Sequence, residues 1–587
     1  MMKKILLTAL LAAVAPWYAS AQVEKRVEVT KAYVPSLEQA SKLPLVPDMT
    51  DTTRMRPEID YAIEPLSLRT SLETRPIRPA KVTYWEFNRP SPLYLKIGAG
   101  YPLNSVFDLY ASSQNPGTGY VVGYVNHEGR FADIANDYGV ENNSVRMTNR
   151  VGAAAGKYFG RRTLEGELSY ENRMYHRSGA WFEATDAAAW RDVVRPGGRI
   201  DYGDAQVALR FGDDFKELSR TNFEVSAHGG LFFDHSEAYG YGNPARQTTL
   251  GAAVRLARGF GRHRLSVGAG YERLAGQKSI ADYTEQLIRA GVRYGLDGGT
   301  VRMELGADYW YDKTDGTKGR SYVVPFARFE FDLGTPGLRP FVEIDGGVRE
   351  NSFRSLVRQN PYMAAPTEVD WVALNGAGRR SSVDYAGRFG LRGSLWRGKA
   401  DYTVYGAFTV HDSHIYWLLR RTTVTEEGAP VAEIDWGAFW PVAGRQTETS
   451  INGEMEFRPV AALRMSLGVH GYFYNDEVRY GNGAPAFRGD FAIRYEGRKV
   501  AFGVGVGLQS SRSWTLYRVD APDGVPTKAG TVEVPFGADL RARVDWMVSH
   551  RVALFAEGRN LANRPLYEFA GYREYGAHFT AGVKLNF

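Results

Sequence analysis

From Tyr94 to Phe587 apolar and polar residues alternate with a period of two, the spacing of a strand with one greasy and one wet face. Ala577, Phe579, Ala581, Val583, Leu585 and Phe587 share one face, against His578, Thr580, Gly582, Lys584 and Asn586 on the other. Val301, Met303, Leu305, Ala307, Tyr309 and Tyr311 oppose Arg302, Glu304, Gly306, Asp308, Trp310 and Asp312 in the same way. A longer run puts Val532, Val534, Phe536, Ala538, Leu540, Ala542, Val544 and Trp546 opposite Thr531, Glu533, Pro535, Gly537, Asp539, Arg541, Arg543 and Asp545. Its spacing predicts one strand over 531–546, with Pro535 marking a bulge or the part above a membrane, because proline cannot donate to a ladder. Val323 to Leu333, Leu338 to Val348, Leu463 to Phe473 and Phe502 to Leu508 repeat the pattern. These strands exceed the usual soluble length of about five or six residues. An apolar face that no following layer covers is a face for lipid, and the charged face opposite must then meet water or be paired. Arg302, Glu304, Asp308, Asp539, Arg541, Arg543 and Asp545 are the expected lining of a polar lumen.

The connections alternate as well. Short turns are predicted near Asn115 to Gly119, Gly160 to Arg162, Asp213 to Ser219, Gly259 to His263 and Asp297 to Gly299. Five more fall near Gly334 to Gly337, Trp396 to Lys399, Pro459 to Ala461, Glu496 to Lys499 and Val548 to His550. Between them lie longer loops such as Gly129 to Asn143, Met174 to Arg199, Asn351 to Arg380 and Asp412 to Gln446. Short turns on one side and long loops on the other are the asymmetry of outer-membrane barrels, with long loops outside the cell. The expected fold is an all-β transmembrane antiparallel β-barrel of about 22 strands over residues 94–587, an even number that leaves both chain ends in the periplasm.

The chain ahead of the barrel is different. Lys3 and Lys4, the apolar Ile5 to Ala15 and the small Ala19-Ser20-Ala21 predict a signal peptide over residues 1–21. Residues 22–93 carry nine prolines, from Pro35 to Pro92, and no sustained period. They predict a largely irregular extension, lying in the periplasm or threaded into the pore, or acting as a partner-binding or plugging arm.

Composition narrows the class. With 35 Tyr, 29 Phe, 12 Trp and 64 Gly, and no apolar run of roughly 18 residues, the chain suits a barrel and excludes helical membrane spans. Absence of cysteine excludes disulfides and thiol chemistry, and a dispersed net charge of +6 gives no footprint for nucleic acid. No zinc-protease helix motif, phosphate loop or Gly-x-Ser-x-Gly elbow occurs.

Thr580, Gly582, Leu585 and Phe587 resemble the C-terminal insertion signal of bacterial outer-membrane barrels, which implies the barrel-assembly machinery as a partner during insertion and outer-membrane lipid with lipopolysaccharide as surroundings. Gly558-Arg559-Asn560-Leu561-Ala562-Asn563-Arg564, with Tyr567 and Gly571-Tyr572, resembles the Asn-Leu box and final strand of TonB-dependent receptors. Asn351-Ser352-Phe353 through Asn360-Pro361-Tyr362, and Tyr94 to Tyr110, look like the plugless TonB-receptor-type barrels of Bacteroidota. Val27-Glu28-Val29-Thr30 resembles the short energy-coupling box of that family. The family's plug is a full globular domain, and only about 70 residues separate the signal from the barrel here, which leaves the part played by TonB open.

Candidate chemistry is sparse. Gly503, Gly505 and Gly507 interleave with Phe502, Val504 and Val506, which makes them inward glycines of a barrel wall rather than a nucleotide loop. His411-Asp412-Ser413-His414 gathers the residue types of a hydrolase, yet neighbours on an extended strand point to opposite faces and cannot form a triad among themselves. His235 and His470 are expected as loop or lumen residues, and no metal or cofactor site is expected. Tyr309-Trp310-Tyr311, Tyr416-Trp417 and Tyr472-Phe473-Tyr474 are expected in the interfacial girdle. Trp436, Phe439 and Trp440 suit either ligand contact or a loop folded into the mouth. Two functions follow: outer-membrane transport or translocation without a full plug, or a scaffold that binds a periplasmic or surface lipoprotein. Neither is an enzyme.

Overall fold

The computed structural model describes residues 92–587 apart from 116, 136–140, 180, 187–188, 190–197, 237–243, 366–380, 477–482 and 519–526. The expected signal peptide and all but the last residues of the proline-rich extension lie outside the described residues. Twenty-two antiparallel strands, from Leu93–Tyr101 to His578–Asn586, form one closed barrel. The first and last strands pair directly, Tyr94 opposite Asn586 and Gly98 opposite Gly582, so neither edge is left open.

The seam explains two of the C-terminal residues singled out above. A Cβ at Gly582 would stand 1.9 Å from the Ile97 carbonyl oxygen, so only glycine lets the two backbones meet there. Thr580 Oγ1 donates to Asn104 Oδ1 at 2.6 Å, tying the closing strand to the strand Asn104–Asn115. Leu585 sits opposite Leu95, and the Phe587 amide donates to the Leu93 carbonyl at 2.9 Å.

All ten predicted short turns connect strands at the end of the barrel that carries Leu93 and Asn586; this is the turn end. Around the wall the exposed large apolar residues keep to one parity along each strand, except for Tyr158 and Val460 at the turn end. Val267 and Val292 are cross-strand neighbours, 39% and 43% exposed, and Val225, Leu231, Val404 and Phe502 continue the outward surface. Such a face is stable only against lipid.

Two predicted elements are corrected. The run 531–546 is two strands: Thr527–Val534 pairs with Arg512–Arg518 as a hairpin beyond the wall, and only Gly537–Met547 belongs to the barrel. Pro535 and Phe536 break the ladder between them, so Val532 and Val534 turn toward a packed interior rather than lipid. The stretch Asp412 to Gln446 is not a loop. Ala400–Glu426 and Ala429–Val460 continue the ladder far past the wall to a tight turn at Glu427-Gly428, with a register shift between His411 and His414.

Candidate functional site

At the loop end the inner face changes from charged to apolar. Ile200, Tyr202 and Phe232 lie on the face opposite the exposed Val207, Leu209 and Leu231, and they are buried. The short helix Phe353–Gln359 rests on them. Ser352 caps it by accepting from the Ser355 amide at 3.2 Å, Phe353, Leu356 and Val357 form its buried side, and Asn360-Pro361 stops it. Phe353 meets Phe232 edge to face at 5.8 Å, and the Tyr202 hydroxyl donates to the Pro361 carbonyl at 3.1 Å.

Beyond the helix the chain enters an aromatic hub. Tyr362 stacks on Tyr572 at 3.5 Å and meets Phe569 and Tyr175 edge on at 5.8 and 5.9 Å. Phe439 is fully buried against the same rings, its amide donating to the Tyr362 carbonyl at 3.0 Å and its carbonyl accepting from the Ala364 amide at 2.9 Å. The Tyr572 hydroxyl donates to the Gly437 carbonyl. Trp514, Leu516 and Val534 of the outer hairpin join this core, and Leu419 pairs in parallel with Leu516.

These segments come from far apart on the ring. The strand Trp181–Ala184 follows the fifth barrel strand, Arg162–His176, and pairs with Ala432 to Asp435 in the extension of the sixteenth, Ala429–Val460. Half of a 22-strand ring separates them, so the pairing crosses the mouth. The connections thus form one packed lid. The girdle expectation fails for Tyr416 and Trp417, which are buried in or beside this lid, and for Trp310, whose ring lies under the Arg289 guanidinium at 5.0 Å on the inner face. Phe439 and Trp440 are buried lid residues on the extended strand Ala429–Val460, packed across the mouth but not on a loop. The Trp436 side chain lies outside what is described.

Ion pairs fasten the lid to the wall at two places. Asp204, on the sixth barrel strand, Arg199–Asp213, accepts from Arg354 Nε at 2.9 Å and Arg358 Nη2 at 2.6 Å, and Arg358 also reaches Glu171 at 3.0 Å. On the other side Glu574 accepts from Arg130 at 2.6 Å and from Arg146, while Glu568 pairs with Arg146 at 3.0 Å. Burial opposes ionisation of Glu574, but the Arg146 and Arg130 guanidiniums outweigh it and hold the carboxyl at about 2.

Below this second attachment a cleft of about 370 Å³ opens between strand ends near the seam. Arg130, Arg146, Asp539, Arg541, Arg559 and His578 are among its lining. Asn560 forms its corner: its backbone is left-handed at φ 47°, its amide donates to Asp539 Oδ1 at 2.8 Å, and its buried side chain holds the Arg564 and Tyr575 carbonyls at 2.7 and 2.9 Å. The asparagine noticed in the sequence is therefore a folding residue of its loop.

The charged residues predicted for the lumen fall into separate clusters. Asp308 is buried between Arg293 at 2.6 Å and Arg289 at 3.4 Å. Arg302 approaches Asp297 and Glu304 approaches Arg264, each at 3.7 Å. Asp539 pairs with Arg541 at 2.8 Å, and Asp545 pairs with Arg543 at 2.8 Å and with Lys584. Glu557 extends the last cluster to Lys96 at 3.2 Å, across the seam. Gly507 recesses the wall beside them, since a Cβ there would meet Arg541 Nη2 at 2.4 Å.

The histidines are structural in arrangement. His411 Nδ1 lies 2.9 Å from Asp384 Oδ1, which also accepts from Ser382 Oγ at 2.6 Å, so here the carboxylate sits between serine and histidine; a serine–histidine contact forms elsewhere, Ser105 Oγ to His127 Nε2 at 2.7 Å, with His127 Nδ1 2.7 Å from Asn149 Oδ1. His470 meets Asn452 at 2.8 Å, and His235 stacks on Phe233 at 5.9 Å. Among the described residues no group of three or more His, Cys, Asp or Glu is placed to hold a metal ion.

No protein-family model matches the chain, and no curated protein matches it by sequence. Solved structures do. The FrpB iron transporter from Neisseria meningitidis (F3-3 variant) is similar at 11% identity and a TM-score of 0.64, over 85% of this chain and 82% of that one. The pyoverdine outer membrane receptor FpvA from Pseudomonas aeruginosa PAO1 is similar at 10% identity and a TM-score of 0.60, over 85% and 79%. The copper transporter OprC gives 14% identity and a TM-score of 0.59, over 85% and 82%. At these identities the likeness is one of fold: the chain has the barrel architecture of outer-membrane transporters and receptors.

Proposed function

We propose that the protein is an outer-membrane β-barrel of TonB-dependent-receptor type without a full plug, moving a solute or polymer across the outer membrane of a Gram-negative bacterium through a lumen gated by its own loops. The observation that carries this reading is the lid, which crosses the mouth of a transporter-type barrel and is fastened to it by discrete ion pairs at Asp204 and Glu574. Residues 1–21 are the signal peptide, 22–93 the periplasmic extension, and the loop end faces the cell exterior. Outer-membrane lipid and lipopolysaccharide surround the wall, and the barrel-assembly machinery inserts it. Arg302, Glu304, Asp308, Asp539, Arg541, Arg543 and Asp545 line the route.

Conductance in planar bilayers tests the reading, using the mature chain, a form lacking residues 22–90, and the double variant Arg354→Ala/Arg358→Ala. Larger or more frequent steps in the unlatched variant support a loop gate. Steps that appear only on deletion make the extension the barrier, and silence in all three ends the transport reading. Cysteines placed at 304 and 305 check the facing: labelling of 304 from lipid and 305 from water would overturn the lumen assignment. Dependence on TonB is read from uptake in cells with and without it.

A scaffold function is the second reading, favoured by the density of the lid, since an aromatic core across the mouth suits a barrel that anchors rather than conducts. Stoichiometric recovery of a periplasmic or surface lipoprotein from gently solubilised membranes would support it.

A further inference from the structure

Two pairs of arginines occupy facing positions on neighbouring strands beside the same cleft. Like charges directly opposite one another destabilise an antiparallel pair, so each pairing asks for a counter-charge. Arg130 faces Arg146 in register, and the loop carrying Glu574 places one carboxylate between both guanidiniums. The register that sets Ala542 against Gly558 brings Arg541 alongside Arg559, and on its other side Arg559 faces His578. Here the compensation is incomplete. Asp539 is taken by Arg541 Nε at 2.8 Å and by the Asn560 amide at 2.8 Å, and Asp490 reaches Arg541 only at 3.6 Å. Glu568 and Glu574 are engaged by Arg146 and Arg130. Arg559 makes no ion pair among the described residues, yet it lines the cleft of about 370 Å³.

We propose that this cleft is a binding site for a small anion bearing a carboxylate or phosphate group, whose oxygens bridge Arg541 and Arg559 as Glu574 bridges Arg130 and Arg146. The volume is that of a small-molecule site, and planar guanidiniums match a forked oxyanion. Gly507 leaves room for the Arg541 guanidinium to lie against the wall, and His578, its Nδ1 donating to the Gly576 carbonyl at 3.0 Å, stands at the edge. The site deepens the transport reading by naming the chemical class that the lumen admits, but binding at it does not require conduction.

Calorimetric titration of the full mature protein in detergent at low ionic strength provides the test, with citrate and inorganic phosphate in separate arms and glucose as the neutral control. Saturable binding of at least one anion is expected, with none of glucose, and the responding arm says which oxyanion is preferred. Arg559→Gln should weaken it by about tenfold or more, while Arg559→Lys, which keeps the charge and loses the fork, should fall between. Heat-modifiable gel mobility verifies that each variant retains a folded barrel. Absence of saturable binding in the unmodified protein overturns the proposal, and so does equal affinity in a folded Arg559→Gln or Arg559→Lys protein. Conductance without anion binding would defeat this inference and leave the transport reading standing; anion binding by a silent barrel would do the reverse.

Discussion

The wall and the lid are made of the same hydrogen-bonded strands and the same apolar residues, but they place those residues against opposite surroundings. In the wall Val267 and Val292 stand side by side and exposed, their packing partners supplied by lipid. In the lid Phe353, Phe439 and Tyr362 are buried against one another, and the packing partners are protein. A wall of this kind depends on the membrane for its stability, whereas the lid carries its own core. The lid is continuous with the wall through the strands Ala400–Glu426 and Ala429–Val460, while ion pairs and one apolar floor under the helix Phe353–Gln359 hold its other connections in place.

Four experiments break or sharpen that contrast, the largest effect first. Tyr362→Ala removes the ring that joins three connections and should cost the lid about 3–5 kcal/mol, the range for deleting a buried aromatic. Hydrogen exchange should accelerate over 353–364 while the wall strands stay protected; uniform loss of protection would mean that lid and wall fold as one. Val292→Arg should cost the wall about 2–4 kcal/mol in lipid vesicles, whereas Ser266→Arg on the inner face should cost less than about 1 kcal/mol. Denaturant titration of the two inserted proteins measures the difference, and equal losses would deny that the faces differ.

Asp204→Asn comes third. It leaves Arg354 and Arg358 without their shared carboxylate and should weaken the latch by about 1–3 kcal/mol, seen as faster exchange in the helix with unchanged barrel mobility on gels. Last comes a pH dependence, set by Glu574 and confined to the acid side. Its carboxyl is lowered from 4.5 to about 2, chiefly by Arg146 and Arg130 against the opposing cost of burial. A depressed acid contributes stability that is complete above its ordinary value and lost as the pH falls toward the folded one. The protection factor of the segment 567–575, with the intrinsic pH dependence of amide exchange divided out, should thus fall as the pH drops between about 4.5 and about 2. Glu574→Gln should flatten that acid-side change, and an unaltered profile would remove the second attachment from the contrast.

How much of this was legible in the chain follows from the same contrast. Strand alternation, the ten short turns and the barrel class were readable because side chains of a strand point to opposite faces with a period of two, and each face meets a single uniform surrounding. The lid was not. Asp412 to Gln446 looked like a loop because its alternation lapses where both faces are covered by protein, as at Ile415 through Leu419 and Ala438 through Trp440. The run 531–546 looked like one strand because Val532 and Val534 keep the phase of the wall, although they belong to a hairpin that buries them.

The candidate site divides in the same way. Gly558 to Arg564 drew notice as a motif, and periodicity placed Asp539 and Arg541 on the charged face. Nothing in the sequence brings Arg559 beside Arg541, or sets Glu574 between Arg130 and Arg146. Those pairings depend on which strand lies next to which and at what offset. Local order along the chain thus determined the wall, since every strand of it answers to lipid on one side. Ring closure and register decided the lid, the latch and the arginine cleft, because each is made by residues that meet only after the barrel has closed.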